Sequence, residues 1–235
     1  MVAPAAKRRA AGHQQSMSNK DNMPYLKDYY DGKDEVLNSD LYKALFTMPK
    51  GAHHHCHATG AASIDQLMGF TKEDIAYYSM KDNRIRIFTH GHPDEGYVQC
   101  NMLRDNWTKE STFDDFLKSK ILLTKEDTKS KYSSEIWANF QHKFTMTLEL
   151  YGYHKFFKSV IIELLKHSAL EKIFILELRH ILGELIDDLG QPLPVEKEIE
   201  ILQECQKEVP EVEMKIIVCG LKLFGESHIQ EQLHY

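Results

Sequence analysis

The run Lys172-Ile173-Phe174-Ile175-Leu176-Glu177-Leu178-Arg179 constrains the fold more than any other stretch. It is almost continuously apolar, too short for a lone buried helix, and rich in β-branched residues. That pattern fits a strand buried on both faces of a parallel sheet. A second β-branched run follows at Met214-Lys215-Ile216-Ile217-Val218-Cys219-Gly220. Between them lie a loop over 181–193, ending in Gly190-Gln191-Pro192, and an amphipathic stretch from Glu196 to Glu208. Ile199, Leu202 and Cys205 share one face of that stretch, as in a helix packed on a core. Parallel strands require such crossovers.

A third strand is expected at 52–57, inside Met48-Pro49-Lys50-Gly51-Ala52-His53-His54-His55-Cys56-His57-Ala58-Thr59-Gly60. Regular alternation would put His53, His55 and His57 on one face, and His54 and Cys56 on the other. A His-x-His pair at a strand's C-terminal end can aim two imidazoles at one metal ion, and zinc accepts them at about 2.0–2.1 Å. The competing reading is a histidine-rich surface turn. A purification tag is excluded, because the histidines are internal and interrupted by Cys56.

The rest of the chain narrows the class. A net charge of −6 argues against nucleic-acid binding by the whole chain, and no apolar run approaches a membrane span. Cys56, Cys100, Cys205 and Cys219 fit neither a zinc-ribbon spacing nor a disulfide framework, so reduced thiols and a cytoplasmic setting are expected. Residues 1–20 carry Lys7, Arg8, Arg9 and Lys20 without an acidic residue, and no apolar core of a secretion signal. They read as a flexible tail, a transit peptide or an arm docking on an acidic partner.

In the tyrosine-rich segment 21–47, Ser39-Asp40 caps a short helix ending near Phe46, before Pro49. Ser63 and Gln66 start another helix. Segment 80–111 is turn-rich, with strands expected at 84–88 and 97–100 in a hairpin-like excursion. A short helix starts at 112–117. Segment 134–167 gives the longest helical signal, with Trp137, Phe140, Phe144, Leu148 and Tyr151 on one face. Gly152 breaks it before a second helix, Tyr153 to His167, that buries Phe156, Val160, Ile161 and Leu164. A last helix starts at Gly225.

Met48-Pro49-Lys50-Gly51-Ala52 followed by His55-Cys56-His57 resembles the first barrel strand of the adenosine deaminase family. Within it the chain looks like the adenosine deaminase-related growth factors, whose lead-in reads M-P-K-G-A-x-x-H-x-H. The resemblance implies the N-terminal portion of a (β/α)8 TIM-barrel metal-dependent hydrolase, with strands at 52–57, 172–178 and 214–219. It makes His55 and His57 the first two zinc ligands. It places Glu177 and Arg179 at the barrel mouth, where a substrate-side role stands against that of a structural ion pair beneath the loops. It likens Trp137 to a tryptophan bordering the nucleoside pocket, against the plain reading of a core aromatic. It implies three segments: tail 1–20, helical arm 21–47, and partial barrel 48–235 carrying an insertion at about 80–111. The growth factors staple that insertion with a disulfide; here it holds Cys100 alone.

The chain also departs from the pattern. Ala58 and Thr59 stand where the family has an aspartate that holds substrate. The third zinc histidine, the catalytic glutamate, a further histidine and an aspartate come from later strands, and neither an H-A-G-E-like nor an S-D-D-P-like stretch occurs. The function implied is zinc-dependent hydrolysis of a purine nucleoside, adenosine to inosine and ammonia, with zinc held only when other residues complete the site. The chain alone is expected to be inactive. Another protein chain is expected to cover the open sheet edge. The alternatives are a non-catalytic subunit of a larger cytoskeletal or ciliary assembly, and a histidine-rich metal-binding module.

Overall fold

The structure, a computed structural model, describes residues 29–235. Lys7, Arg8 and Arg9 and the start of the tyrosine-rich segment lie outside the described residues. The chain divides after Pro49 into two units. The described part of the first holds helices α1 (Tyr29–Asn38) and α2 (Asp40–Thr47). Ser39 Oγ accepts the Tyr42 N–H at 3.1 Å and caps α2. Met48, ahead of a proline, is extended, which ends the helix.

The second unit runs β1 (Gly51–His57), α3 (Ile64–Phe70), β2 (Ala76–Ser79), β3 (Arg84–Ile87), β4 (Tyr97–Gln99), α4 (Cys100–Asp105), α5 (Phe113–Ile121), α6 (Ser133–Gly152), α7 (His154–Leu170), β5 (Ile173–His180), α8 (Val195–Glu208), β6 (Glu213–Val218) and α9 (Gly225–His234). It is a mixed α/β fold with two sheets. In the first, β5 lies between β1 and β6, and both pairings are parallel. The three strands do not close into a barrel.

One face of this sheet is covered. Phe157, Ile161 and Leu165 of α7 and Leu202 and Cys205 of α8 pack against Leu176 and Leu178. The other face corrects the expectation of burial on both sides. Leu176, Leu178 and His180 are buried, but Ile175, Glu177 and Arg179 on the opposite face remain partly exposed; Phe174, on the covered face's parity but at the strand's start, is 50% exposed. The register puts Lys215 beside Glu177 and Ile217 beside Arg179 on the open side. The charges therefore fall on alternate positions, the signature of a sheet covered on one face.

The second sheet corrects the hairpin. β3 and β4 do not pair with each other; both pair antiparallel with β2, a strand not foreseen. Tyr78 of β2 is buried, edge-on to Phe113 and Phe116. Glu149 of α6 binds Arg86 Nε at 2.9 Å and accepts the Ile87 N–H at 3.2 Å, tying α6 to β3. α5 is longer than expected, opened by a Thr112–Asp115 capping box.

α6 buries a different stripe from the one expected. Met146, Thr147, Leu150 and Tyr151 are inside, while Trp137, Phe144 and Leu148 are exposed. Phe140 and Phe144 in its N-terminal half line a small cavity rather than the closed core, so the helical period there is only partly covered. The break after Gly152 is real and is bridged by the loop after β5. Ile186 N–H donates to Gly152 O at 2.8 Å, and His154 N–H donates to Ile186 O at 3.1 Å. In α7, Leu165 rather than Leu164 is fully buried. Gln232 of α9 holds Leu182 through both its amide N–H and its carbonyl, at 3.0 and 2.9 Å. Among the described residues no helix is long and apolar enough to cross a membrane, and all four cysteines are free.

Candidate metal half-site on the open face of the parallel sheet

β1 carries a bulge that changes the expected side-chain pattern. His53 pairs with Leu176 and Cys56 with Leu178, so His54 and His55 together lie opposite Glu177. Regular alternation is suspended there. Cys56 packs with the helix-covered core, where burial pushes its thiol pKa up. His57 falls beside Arg179 on the open side. His54, expected to face away, turns to the same side, and its Nδ1 lies 3.3 Å from Glu177 Oε1.

His55 and His57 meet as expected, with their Nε2 atoms 3.0 Å apart and ring centroids 5.0 Å apart. Two nitrogens bound to one tetrahedral zinc at 2.0–2.1 Å would stand about 3.3 Å apart. The pair therefore suits two neighbouring ligands of one ion with little movement. Burial, then the His55 ring and the Arg179 guanidinium, lower the pKa of His57. That favours the neutral imidazole a metal requires. Among the described residues no group of three or more His, Cys, Asp or Glu is placed to hold a metal. Among the described residues the chain brings two imidazole donors together.

Glu177 and Arg179 meet neither expectation in simple form. They are not paired with each other. Glu177 takes the His54 ring, and Arg179 Nη1 donates to the His54 carbonyl at 2.7 Å. Trp137 is 55% exposed, so it is not a core aromatic. Its ring lies 5.4 Å from that of Phe140. Phe140 and Phe144 help line a cavity of about 220 Å³ with Gly60, Ala62, Leu67 and Tyr151, and Trp137 is not among the lining residues.

The exit from β1 is fixed by this packing. Gly60 has φ +99°, and a Cβ there would lie 3.0 Å from the Phe144 ring, so a side chain would be strained in its backbone and crowded by that ring. The amides of Gly60 and Ala62 face the Tyr151 hydroxyl, whose pKa burial raises to about 12. Ala58 is buried in the core and donates its N–H to Arg179 O at 2.9 Å. Sequence reasoning passed over Phe140 and Phe144 as cavity walls; the signal was Gly60, a glycine directly after a strand.

Below the half-site, on the covered face, His180 Nε2 contacts Glu198 Oε1, and both side chains are buried. Glu198 Oε2 accepts the Gly183 N–H at 2.9 Å, and the His180 ring stacks on Phe157 at 4.7 Å. α8 is thereby fastened to the end of β5.

No protein-family model matches the chain. It is 25% identical over 187 residues to an adenosine deaminase of Phlebotomus duboscqi, covering 72% of this chain and 34% of that protein. It is 23% identical over 212 residues to adenosine deaminase 2 of Sus scrofa, covering 85% and 41%. With adenosine deaminase 2-A of Danio rerio it shares 24% over 166 residues, covering 66% and 33%. The chain thus spans between a third and about two fifths of the length of these relatives, and its likeness is to adenosine deaminases at low identity.

Proposed function

We propose that this chain is an adenosine deaminase-like protein of the growth-factor branch. In this reading it carries the first half of a zinc-dependent purine nucleoside aminohydrolase site. The observation that supports this is the His55–His57 pair, with imidazole nitrogens 3.0 Å apart at the C-terminal end of a parallel strand. That is the end of the sheet where β/α folds place their chemistry. His55 and His57 would hold the ion. Zinc, when bound, supplies a water with a pKa near 7 for attack on the purine. The general acid and the remaining ligands come from outside the described residues, and a purine nucleoside is bound once they are in place.

Titration with zinc and an ammonia-release assay on adenosine test this together. Weak zinc binding is expected, abolished by His55→Ala with His57→Ala, and no ammonia release. Wild-type protein that binds no zinc would remove the reading. Turnover of about 1–10³ per second by the purified chain would show that it holds the missing groups after all.

A second reading is favoured by a different observation. β1 and β6 are both outer strands, and Ile217, Val218 and Phe174 are exposed around them. Outer strands offer unpaired N–H and C=O groups that proteins normally cover. In this reading the chain is a structural subunit of a cytoplasmic assembly, with another chain on an open edge and Lys7, Arg8 and Arg9 on an acidic surface. Sedimentation of the chain alone as a soluble, cooperatively unfolding monomer would sink it.

A further inference from the structure

The bulge in β1 is held from one neighbouring strand by two contacts that converge on a single residue. Arg179 Nη1 donates to the His54 carbonyl at 2.7 Å, and Glu177 Oε1 stands 3.3 Å from His54 Nδ1. Both come from alternate positions of β5, and both lie on the open side of the sheet. Bulges re-aim side chains beside functional sites. This one brings His54 and His55 together opposite Glu177, leaving His55 to meet His57, which itself lies beside Arg179.

We infer that Glu177 and Arg179 are positioning residues that clamp the His54 bulge and so pre-set the His55–His57 pair for a divalent cation. This rests on the metal reading of that pair, and it gives the Glu-x-Arg step at the end of β5 a role distinct from substrate contact. The logic is geometric. Without the bulge, His54 alone would stand opposite Glu177, and the one-residue slip would carry His55 and His57 together to the covered face, opposite Leu178 and His180, and turn Cys56 outward. Arg179 acts on the backbone, so its effect does not depend on which side chain stands at 54. Glu177 acts on the ring, so its effect passes through His54 alone.

Cobalt(II) is the probe, because its visible absorption reports both affinity and ligand geometry. Arg179→Gln is expected to weaken cobalt binding about 10–100-fold, the usual cost of losing a residue that orients a ligand, with Arg179→Lys recovering most of it. Glu177→Gln and His54→Ala are expected to give smaller losses that do not add in the double variant, since they break one contact. Unchanged far-ultraviolet circular dichroism identifies variants that keep the fold. Wild-type affinity in all four variants, with binding still lost in His55→Ala, would overturn the clamp and leave the metal reading standing. Absence of cobalt binding in the wild type would overturn the metal reading. The clamp would then be decided on metal-free protein by imidazole ¹⁵N spectra. An Nε2–H···Nε2 bond between His55 and His57 that is present in the wild type and lost in Arg179→Gln supports it; its absence from the wild type, or its persistence in that variant, overturns it.

Discussion

In the antiparallel sheet, the central strand β2 keeps Ala76, Tyr78 and Ser79 out of water almost completely. In the parallel sheet, the outer strand β1 leaves every residue except Ala52 and Cys56 exposed. The same chain thus contains one sheet closed in by α5 and α6 and one left open on a face and two edges. Among the described residues, the closed sheet carries ion pairs, Arg84 and Arg86 with Glu149 at 3.4 and 2.9 Å and Arg86 with Asp94, rather than paired imidazoles. The open one carries His54, His55, His57, Glu177, Arg179 and Lys215 on its uncovered side. The contrast separates a region whose strands are largely withdrawn from water from one whose polar side chains stand in it.

Thiol chemistry gives the largest expected contrast. Cys100, fully buried beside the closed sheet, has its pKa pushed up by burial to about 12. Against an ordinary thiol near 8.5, that leaves roughly 3,000-fold less thiolate at neutral pH, and access also waits on local opening. Cys56 and Cys219, half-buried at the ends of the parallel strands, should be alkylated first in folded protein, as mass spectrometry of a time course would show. Equal rates for Cys100 and Cys219 would erase the distinction between the two regions.

Stability should divide along the same line. Leu117→Ala, in the closed core, is expected to cost about 2–5 kcal/mol in denaturant unfolding. Glu198→Ala should cost about 1–3 kcal/mol, because it strips His180 and the Gly183 N–H of their partner; Glu198→Gln should cost less. Phe174→Ala, on a half-exposed side chain, should cost no more than about 0.5 kcal/mol. A Phe174→Ala cost matching that of Leu117→Ala would mean that the exposed start of β5 is covered in solution, which sedimentation would detect as association.

Two of the three parallel strands were legible because Ile173–Leu178 and Met214–Val218 declare themselves by apolar and β-branched content; β1, which has no β-branched residue, was expected from its His-x-His spacing and the resemblance. The helix break at Gly152 and the caps at Ser39 and Ser63 were legible for equally local reasons. What escaped depended on partners. Tyr77 and Tyr78 look like any polar-aromatic stretch until β3 and β4 flank them. The Trp137–Phe140–Phe144 stripe has a perfect helical period, and period cannot say whether a core lies opposite. At the site, the meeting of His55 and His57 was readable from their spacing. The arrival of His54 beside them was not, because a bulge exists only relative to a neighbouring strand.

The bond from Arg179 to His54 spans 125 positions of sequence. Closing so long a loop is entropically slow to be repaid, and contacts of high sequence separation tend to form late in folding. The antiparallel sheet, α5 and α6 all lie inside that loop and can organise from nearer neighbours first. The bond that holds the bulge beside the histidine pair is therefore expected to form at the end of folding, after the antiparallel sheet. During synthesis it cannot exist until residue 179 has cleared the ribosome.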